Sequence, residues 1–154
     1  MATLTIIPTT KADLPALQVV LDQTGLFPSE MLPDMIAPAF AGESEAFWLS
    51  CHLDGSAVGL CYTAPEALAD GTWNMLALAI SPDLHGRGMG TALVEAAERH
   101  LKRKSQRILI VDTSSTDDFA LTRKFYAKNG YEEEARIRDF WSAGDDKVIF
   151  RKAL

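Results

Sequence analysis

The chain has 154 residues, 47% of them hydrophobic and 23% charged, and a formal net charge of −6 at pH 7. That length suits one domain, residues 1–154, with a real core, and the acidic balance speaks against a nucleic-acid partner, which calls for a basic face. No apolar run approaches membrane-spanning length, and residues 1–8 lack the basic and long apolar regions of a secretory leader, so the cytoplasm is the expected location.

In chain order, residues 3–7 read as a first strand (β1) ended by Pro8, and Thr10 caps a helix over 11–23 (α1) with Leu14, Leu17, Val20 and Leu21 on one face. Ser29 opens a second helix to about residue 40 (α2), with Met31, Leu32, Met35 and Ile36 apolar and Pro33 in its first turns, where proline is tolerated. Asp54-Gly55 is a type I′ hairpin signal between strands over 46–53 (β2) and 56–63 (β3). If those two residues form the turn, Cys51 faces Val58 and Cys61 faces Trp48, so the two cysteines are not opposite each other. Both are expected to be small buried thiols in a reducing compartment. His52, His85 and His100 are scattered and no C-x-x-C occurs, so no metal site is expected.

The next stretch organises the rest. Residues 72–80 form an apolar strand (β4), and Ser81-Pro82-Asp83-Leu84 leads into His85-Gly86-Arg87-Gly88-Met89-Gly90 and a helix over 91–101 (α3). Met89, Leu93, Ala97 and Leu101 have the spacing of one buried helix face. Glycines at every second position let backbone N–H groups converge, and the first turn of the helix adds unpaired donors and a positive dipole end. Such a cradle suits a phosphate or pyrophosphate. The P-loop pattern fails because no Lys-Ser or Lys-Thr closes the turn, and G-x-G-x-x-G fails because its last position is Thr91. Beyond it come a short β-branched strand over 107–112 (β5) and a helix over 119–129 (α4) stopped by Asn129-Gly130. Two strands, over 131–141 (β6) and 147–153 (β7), complete the chain. The order β1-α1-α2-β2-β3-β4-α3-β5-α4-β6-β7 gives an α/β (α+β mixed) fold, a mixed sheet with helices on both faces.

The spacing His85-x-x-Gly88-x-Gly90 resembles [Q/R]-x-x-G-x-[G/A], the coenzyme A pyrophosphate loop of the GNAT superfamily of N-acetyltransferases, with His85 where the family usually carries Gln or Arg. The element order is also the GNAT order, so the resemblance covers nearly the whole chain. A second motif resembles the family's A-x-x-F/L-Y-x-x-x-G-F/Y: Tyr126 lies four residues before Gly130, and Thr122 holds the small position. Phe119 stands where relatives often carry an asparagine that contacts the cofactor.

The resemblance implies a mostly antiparallel sheet splayed between its fourth and fifth strands, with acetyl-CoA as co-substrate and its pantetheine arm in the splay. It implies that backbone groups around Leu78, Ala79 and Ile80 bind the arm and polarise the thioester. His85, Gly86, Arg87, Gly88, Met89, Gly90 and Thr91 would hold the pyrophosphate, and Tyr126 would be the general acid. Small Ala77 and Ala79 are expected to leave one face of β4 low for the cofactor's approach. Residues 72–80 contain no acid, so Asp112 at the end of β5 is the first candidate general base, ahead of Glu66 and Asp139, with a water chain as an alternative. Capping by Asp112 beside Thr113 and Ser114 competes with that role.

Charge is distributed unevenly. From Met1 to Ala77 Lys11 is the sole Lys or Arg, while Lys and Arg cluster after the glycine turn. A polyanionic cofactor suits the second half and a cationic acceptor the first. The expected activity is acetyl transfer to a small-molecule primary amine, without nucleic acid or membrane, and with homodimerisation left open. The alternatives are a protein lysine or N-terminal acetyltransferase and an acyl-CoA-binding module without catalysis. The acceptor's pocket is expected to draw on Phe27, Met31, Met35, Glu66, Phe140 and Trp141.

Overall fold

The computed structural model describes residues 2–154. Its elements are β1 (Leu4–Pro8), α1 (Leu14–Thr24), α2 (Leu32–Phe40), β2 (Phe47–Leu53), β3 (Ser56–Pro65), β4 (Thr72–Ile80), α3 (Met89–Arg103), β5 (Ile108–Ser114), α4 (Ala120–Lys128), β6 (Glu132–Ser142) and β7 (Asp145–Ala153). The order is the expected one. They form a mostly antiparallel seven-stranded sheet in the order β1-β2-β3-β4-β5-β7-β6. Its parallel pair joins β4 to β5, with Thr72 opposite Ile108, Trp73 opposite Leu109 and Asn74 opposite Ile110. Helices α1 and α2 begin later than their caps suggest, because 3₁₀ turns fill Lys11–Asp13 and Ser29–Met31. Pro15 and Pro33 have no N–H to offer the carbonyl four residues back, so α geometry starts around them. Among the described residues no helix is long and apolar enough to cross a membrane.

The chain divides into two compact units, one running up to Ala64 together with Leu76–His100, the other comprising Pro65–Met75 and Leu101–Leu154. In the first, Asp54 and Gly55 take positive φ (51° and 85°), as a type I′ turn requires. The register starts as expected, Leu53 opposite Ser56, but a bulge between Cys51 and His52 shifts it by one. Cys51 therefore faces Gly59 and Cys61 faces Leu49, not Val58 and Trp48. A bulge inserts one unpaired residue into a strand beyond the turn, so the hairpin signal could not reveal this one. Both thiols are free and buried, and burial pushes the Cys61 thiol up to about 11.

Helices α1 and α2 bury Leu17, Val20, Leu21, Leu32 and Ile36 in one core with Trp48, Leu60, Ala77 and Ala79. The low alanine face of β4 thus belongs to the core and is not open to a cofactor. Met31 lies off that core at 47% exposure. A further anchor ties the N-terminal segment down. The Asp13 carboxylate accepts the Thr10 N–H (2.8 Å) and the Thr10 hydroxyl (3.1 Å), and its other oxygen meets His52 Nε2 at 2.8 Å. Burial alone would raise the Asp13 pKa; the hydrogen bonds from Thr10 and His52 outweigh it and hold the carboxyl below its ordinary value.

In the second unit β7 pairs antiparallel with β5 and with β6. Val148 and Phe150 of β7 are buried, whereas every residue of β6 is exposed. The β6 register is interrupted twice, at Glu133/Ala135 and Ile137/Ser142, and Asp139 in the second interruption has φ 56°. Helix α4 ends as expected at Asn129, with Gly130 in the left-handed region and the Tyr131 N–H on the Tyr126 carbonyl (3.0 Å).

Candidate functional site

At the end of β4 the chain leaves the sheet through Ser81, whose N–H donates to the Val58 carbonyl at 2.8 Å, and makes a 3₁₀ turn over Pro82–Leu84. His85 Nε2 then donates back to the Ile80 carbonyl at 3.0 Å, which fixes the Nε2–H tautomer, since a carbonyl only accepts. A donor side chain at this position closes the strand end onto the turn, and histidine meets that need as glutamine or arginine would. Gly86 and Gly88 both have positive φ, 79° and 80°. A Cβ at either would meet nothing within 4 Å, so the backbone conformation demands glycine there, not crowding. Among the described residues the first N–H past His85 with an intramolecular acceptor is Ala92, on the Gly88 carbonyl at 3.0 Å. The N–H groups of Gly86, Arg87, Gly88, Met89, Gly90 and Thr91 are left to other acceptors at the positive end of the fifteen-residue α3. Exposed Arg87 adds a cation. An anion fits this turn by its backbone alone. Just before it Ala79 and Ile80 are buried, Leu78 is half-buried and Leu76 is 52% exposed.

The second unit holds the two catalytic candidates. Tyr126 on α4 is 6% exposed and lies among aromatic rings, with centroids at 5.4 Å from Phe125, 6.0 Å from Tyr131 and 5.7 Å from Phe150. Asp112 does not cap the following loop; Ser114 does, its hydroxyl accepting the Thr116 N–H at 3.1 Å. The Asp112 carboxylate instead takes an Asn74 Nδ2 hydrogen (3.3 Å) and the Lys147 ammonium (3.3 Å) on Oδ2. Asn74 Nδ2 also donates to Glu66 Oε1 at 3.0 Å, so two of the base candidates meet through one amide. Asn74 carries no motif. Its one signal in the sequence is an amide inside an otherwise apolar strand, Thr72-Trp-Asn-Met-Leu-Ala-Leu-Ala-Ile80.

Asp139, the remaining base candidate, is engaged in its own hairpin, where its Oδ1 accepts the Gly144 N–H at 2.9 Å. Trp141 Nε1 donates to the Thr113 carbonyl at 3.2 Å, and the Phe140 ring lies 4.5 Å from Lys147 Nζ. In the first unit Phe27 and Met35 are half-buried against the helical core, so of the expected pocket residues there Met31 is the exposed one. Among the described residues no group of three or more His, Cys, Asp or Glu could hold a metal ion.

Comparison with known proteins gives a consistent picture. A family profile described as "Acetyltransferase (GNAT) domain" matches residues 43–133. An uncharacterized N-acetyltransferase of Methanocaldococcus jannaschii is 25% identical over 104 residues, which span 66% of this chain and 62% of that protein. Among solved structures, a GNAT-family protein from Desulfovibrio desulfuricans superposes with a TM-score of 0.88 at 23% identity, covering 98% of this chain and 99% of the other. The PaiA N-acetyltransferase of Thermoplasma acidophilum, solved in complex with coenzyme A, gives 0.78 at 19% identity, covering 99% of each.

Proposed function

The chain belongs to the GNAT acetyltransferase family, and on that premise we propose that it is an acetyl-CoA-dependent N-acetyltransferase, acting as one domain over residues 1–154 on a small-molecule primary amine in the cytoplasm. The observation that carries the reading is the turn after β4, where consecutive N–H groups without intramolecular acceptors surround two glycines of positive φ. That is the arrangement a pyrophosphate requires.

Acetyl-CoA supplies the activated acetyl thioester. His85 holds the turn to the strand end, the N–H groups of Gly86 through Thr91 and the Arg87 guanidinium bind the pyrophosphate, and the backbone of Leu78, Ala79 and Ile80 orients the pantetheine arm and polarises the carbonyl. Asp112 takes the proton that an ammonium must lose before its nitrogen can attack. The amine nitrogen bonds to the carbonyl carbon, the carbon–sulfur bond breaks, and the nitrogen gives up its second proton to solvent. The departing thiolate takes the phenolic proton of Tyr126, while Asp112 returns its proton to solvent. Solvent then reprotonates Tyr126. Phe119 cannot donate the hydrogen bond of the usual asparagine, so more of the cofactor's affinity falls to the turn.

The acidic first half of the chain supports a cationic acceptor. The test is a calorimetric titration with acetyl-CoA, followed by a turnover screen over amines, polyamines, amino acids and peptides. Saturable acetyl-CoA binding and turnover of a small cationic amine are expected. Turnover of peptides alone would move the assignment to a protein acetyltransferase, and binding without turnover of any amine would leave an acyl-CoA-binding module.

A further inference from the structure

His85 is where the turn after β4 departs from the family's pattern, and the departure changes what a proton can do there. Its Nε2–H is committed to the Ile80 carbonyl at 3.0 Å, so a second proton can enter only at Nδ1. Both ring nitrogens donate in the resulting cation, so the bond to Ile80 survives protonation. The residue is exposed, and water can deliver the proton. Glutamine at this position never carries a charge, and arginine never loses one. An imidazole passes from the first condition to the second between about pH 5 and 8.

The charges around the ring decide whether that passage matters. Within the turn stand Asp83 and Arg87, both exposed. Helix α1 packs against the 3₁₀ turn, where Gln23 Oε1 accepts the Ser81 hydroxyl at 3.3 Å, and it adds the exposed Asp22. Strand β4 has no charged residue over 72–80, and α3 has none before Glu95. Strand β3, whose Val58 takes the Ser81 N–H, is preceded by Asp54, but that carboxylate is engaged by the Thr3 N–H at 2.9 Å. One cation thus stands against two carboxylates at the turn. A pyrophosphate diester brings two more negative charges, onto N–H groups that begin at the residue directly after His85. That adjacency puts an imidazolium at position 85 inside the screening length of the anion, about 8 Å at physiological salt. Carboxylates take up protons only in stronger acid. His85 is therefore the group of the turn able to gain positive charge when the anion arrives.

We propose that His85 couples coenzyme A binding to proton uptake. Protonated at Nδ1, it strengthens the turn's hold on the pyrophosphate; neutral, it leaves the backbone donors and Arg87 to bind alone. Linkage sets the sign. An anion that favours the imidazolium raises the pH at which the ring takes its proton, so the extra affinity is complete in acid and fades as pH rises through the ring's titration in the complex. The inference rests on the acetyl-CoA reading and adds a pH dependence that neither glutamine nor arginine would give.

The test is a calorimetric titration of the full chain with coenzyme A at about pH 5.5 and about pH 8, as wild type, His85→Gln and His85→Arg. The His85 ring signals of the wild type are followed by NMR across the same range, with and without coenzyme A. The ligand's own phosphomonoester also titrates there; His85→Gln keeps a donor for Ile80 and reports the pH response of everything except the imidazole. Relative to His85→Gln, the wild type should bind with equal affinity at the higher pH and roughly two- to fivefold more tightly at the lower. His85→Arg should be tighter by a similar factor at both. The wild-type ring should take up its proton at higher pH in the complex than in the free protein. Parallel pH responses of wild type and His85→Gln, or a ring titration that coenzyme A does not move, overturn the proposal. Should the variants fail to fold, the wild-type ring titration decides. Saturable coenzyme A binding without this dependence refutes the proton link alone, whereas no saturable binding at either pH refutes the acetyl-CoA reading and the proposal with it.

Discussion

The glycine turn and the Asn74 cluster are opposites in how they present chemistry. The turn after β4 offers donors, supplied by the backbone of six consecutive residues, and needs side chains chiefly to stay out of the way. The cluster offers acceptors, supplied by side chains from a loop and two strands, and needs each one in place. A backbone site tolerates changes of side chain but not of backbone conformation. A side-chain site has the reverse sensitivity. The two regions should therefore respond to mutation in separable ways.

The largest effect should come from Tyr126→Phe, which removes the proposed proton donor but keeps the ring among Phe125, Tyr131 and Phe150. A kcat lower by roughly 10²-fold or more is expected, with acetyl-CoA affinity little changed. Unaltered turnover, with chemistry shown to be rate-limiting, would reduce Tyr126 to packing. Next is Asp112→Asn, which keeps the shape of the cluster but not its base. Here kcat/KM for an amine should fall by about tenfold or more, while calorimetry finds acetyl-CoA affinity intact. Coupled losses of both would break the separation between the regions.

The turn supplies the converse pair. Gly88→Ala meets no neighbour, yet it forces a Cβ onto a φ of 80°. The strain, about 1–2 kcal/mol, should appear as acetyl-CoA affinity weaker by roughly tenfold. Arg87→Gln removes only an exposed charge, so a loss of a few-fold that fades with added salt is expected. If Arg87 mattered more than Gly88, the turn would not be a backbone site.

Smallest for catalysis, and useful as a control, is Asp13→Asn in the first unit. Its carboxyl is held below the ordinary value, so its contribution to stability is present above about pH 4 and is lost as pH falls through the lowered folded-state pKa. The variant should unfold about 1 kcal/mol more easily near neutrality, with the gap from wild type closing in acid. Its kcat should not change. Thermal melts across pH, set beside turnover, check both halves.

The same contrast explains what could be read from the chain. A backbone site leaves its mark locally, because φ-permissive residues must recur at fixed spacing, and Gly86, Gly88 and the bounds of β4 were legible for that reason. A side-chain site assembled from residues 66, 74, 112 and 147 leaves no spacing to find. Asp112 is legible as the acid of a β-branched strand, although that strand runs on to Ser114 instead of ending at residue 112, whereas its partner Asn74 is not, because a lone amide in an apolar strand has no periodicity of its own. The alanines of β4 misled for a related reason. Small side chains signal close approach without saying by what, and here α1 and α2 make the approach. The bulge at Cys51/His52 is likewise something that a two-residue turn does not encode.

The outermost strands bear on how this protein behaves at high concentration. A sheet that is not closed has two rows of backbone groups able to template another chain, and long flat edges invite aggregation. Here β1 is only five residues long and ends at Pro8, which has no N–H to lend a neighbour. Strand β6 is long, but Glu132, Glu133, Glu134, Arg136 and Arg138 line it, and the Asp139 kink bends it away from straight pairing. Its exposed Ile137, Phe140 and Trp141 sit at that kink, where no incoming strand could keep register across them. Both margins of the sheet thus discourage edge-to-edge pairing with another chain.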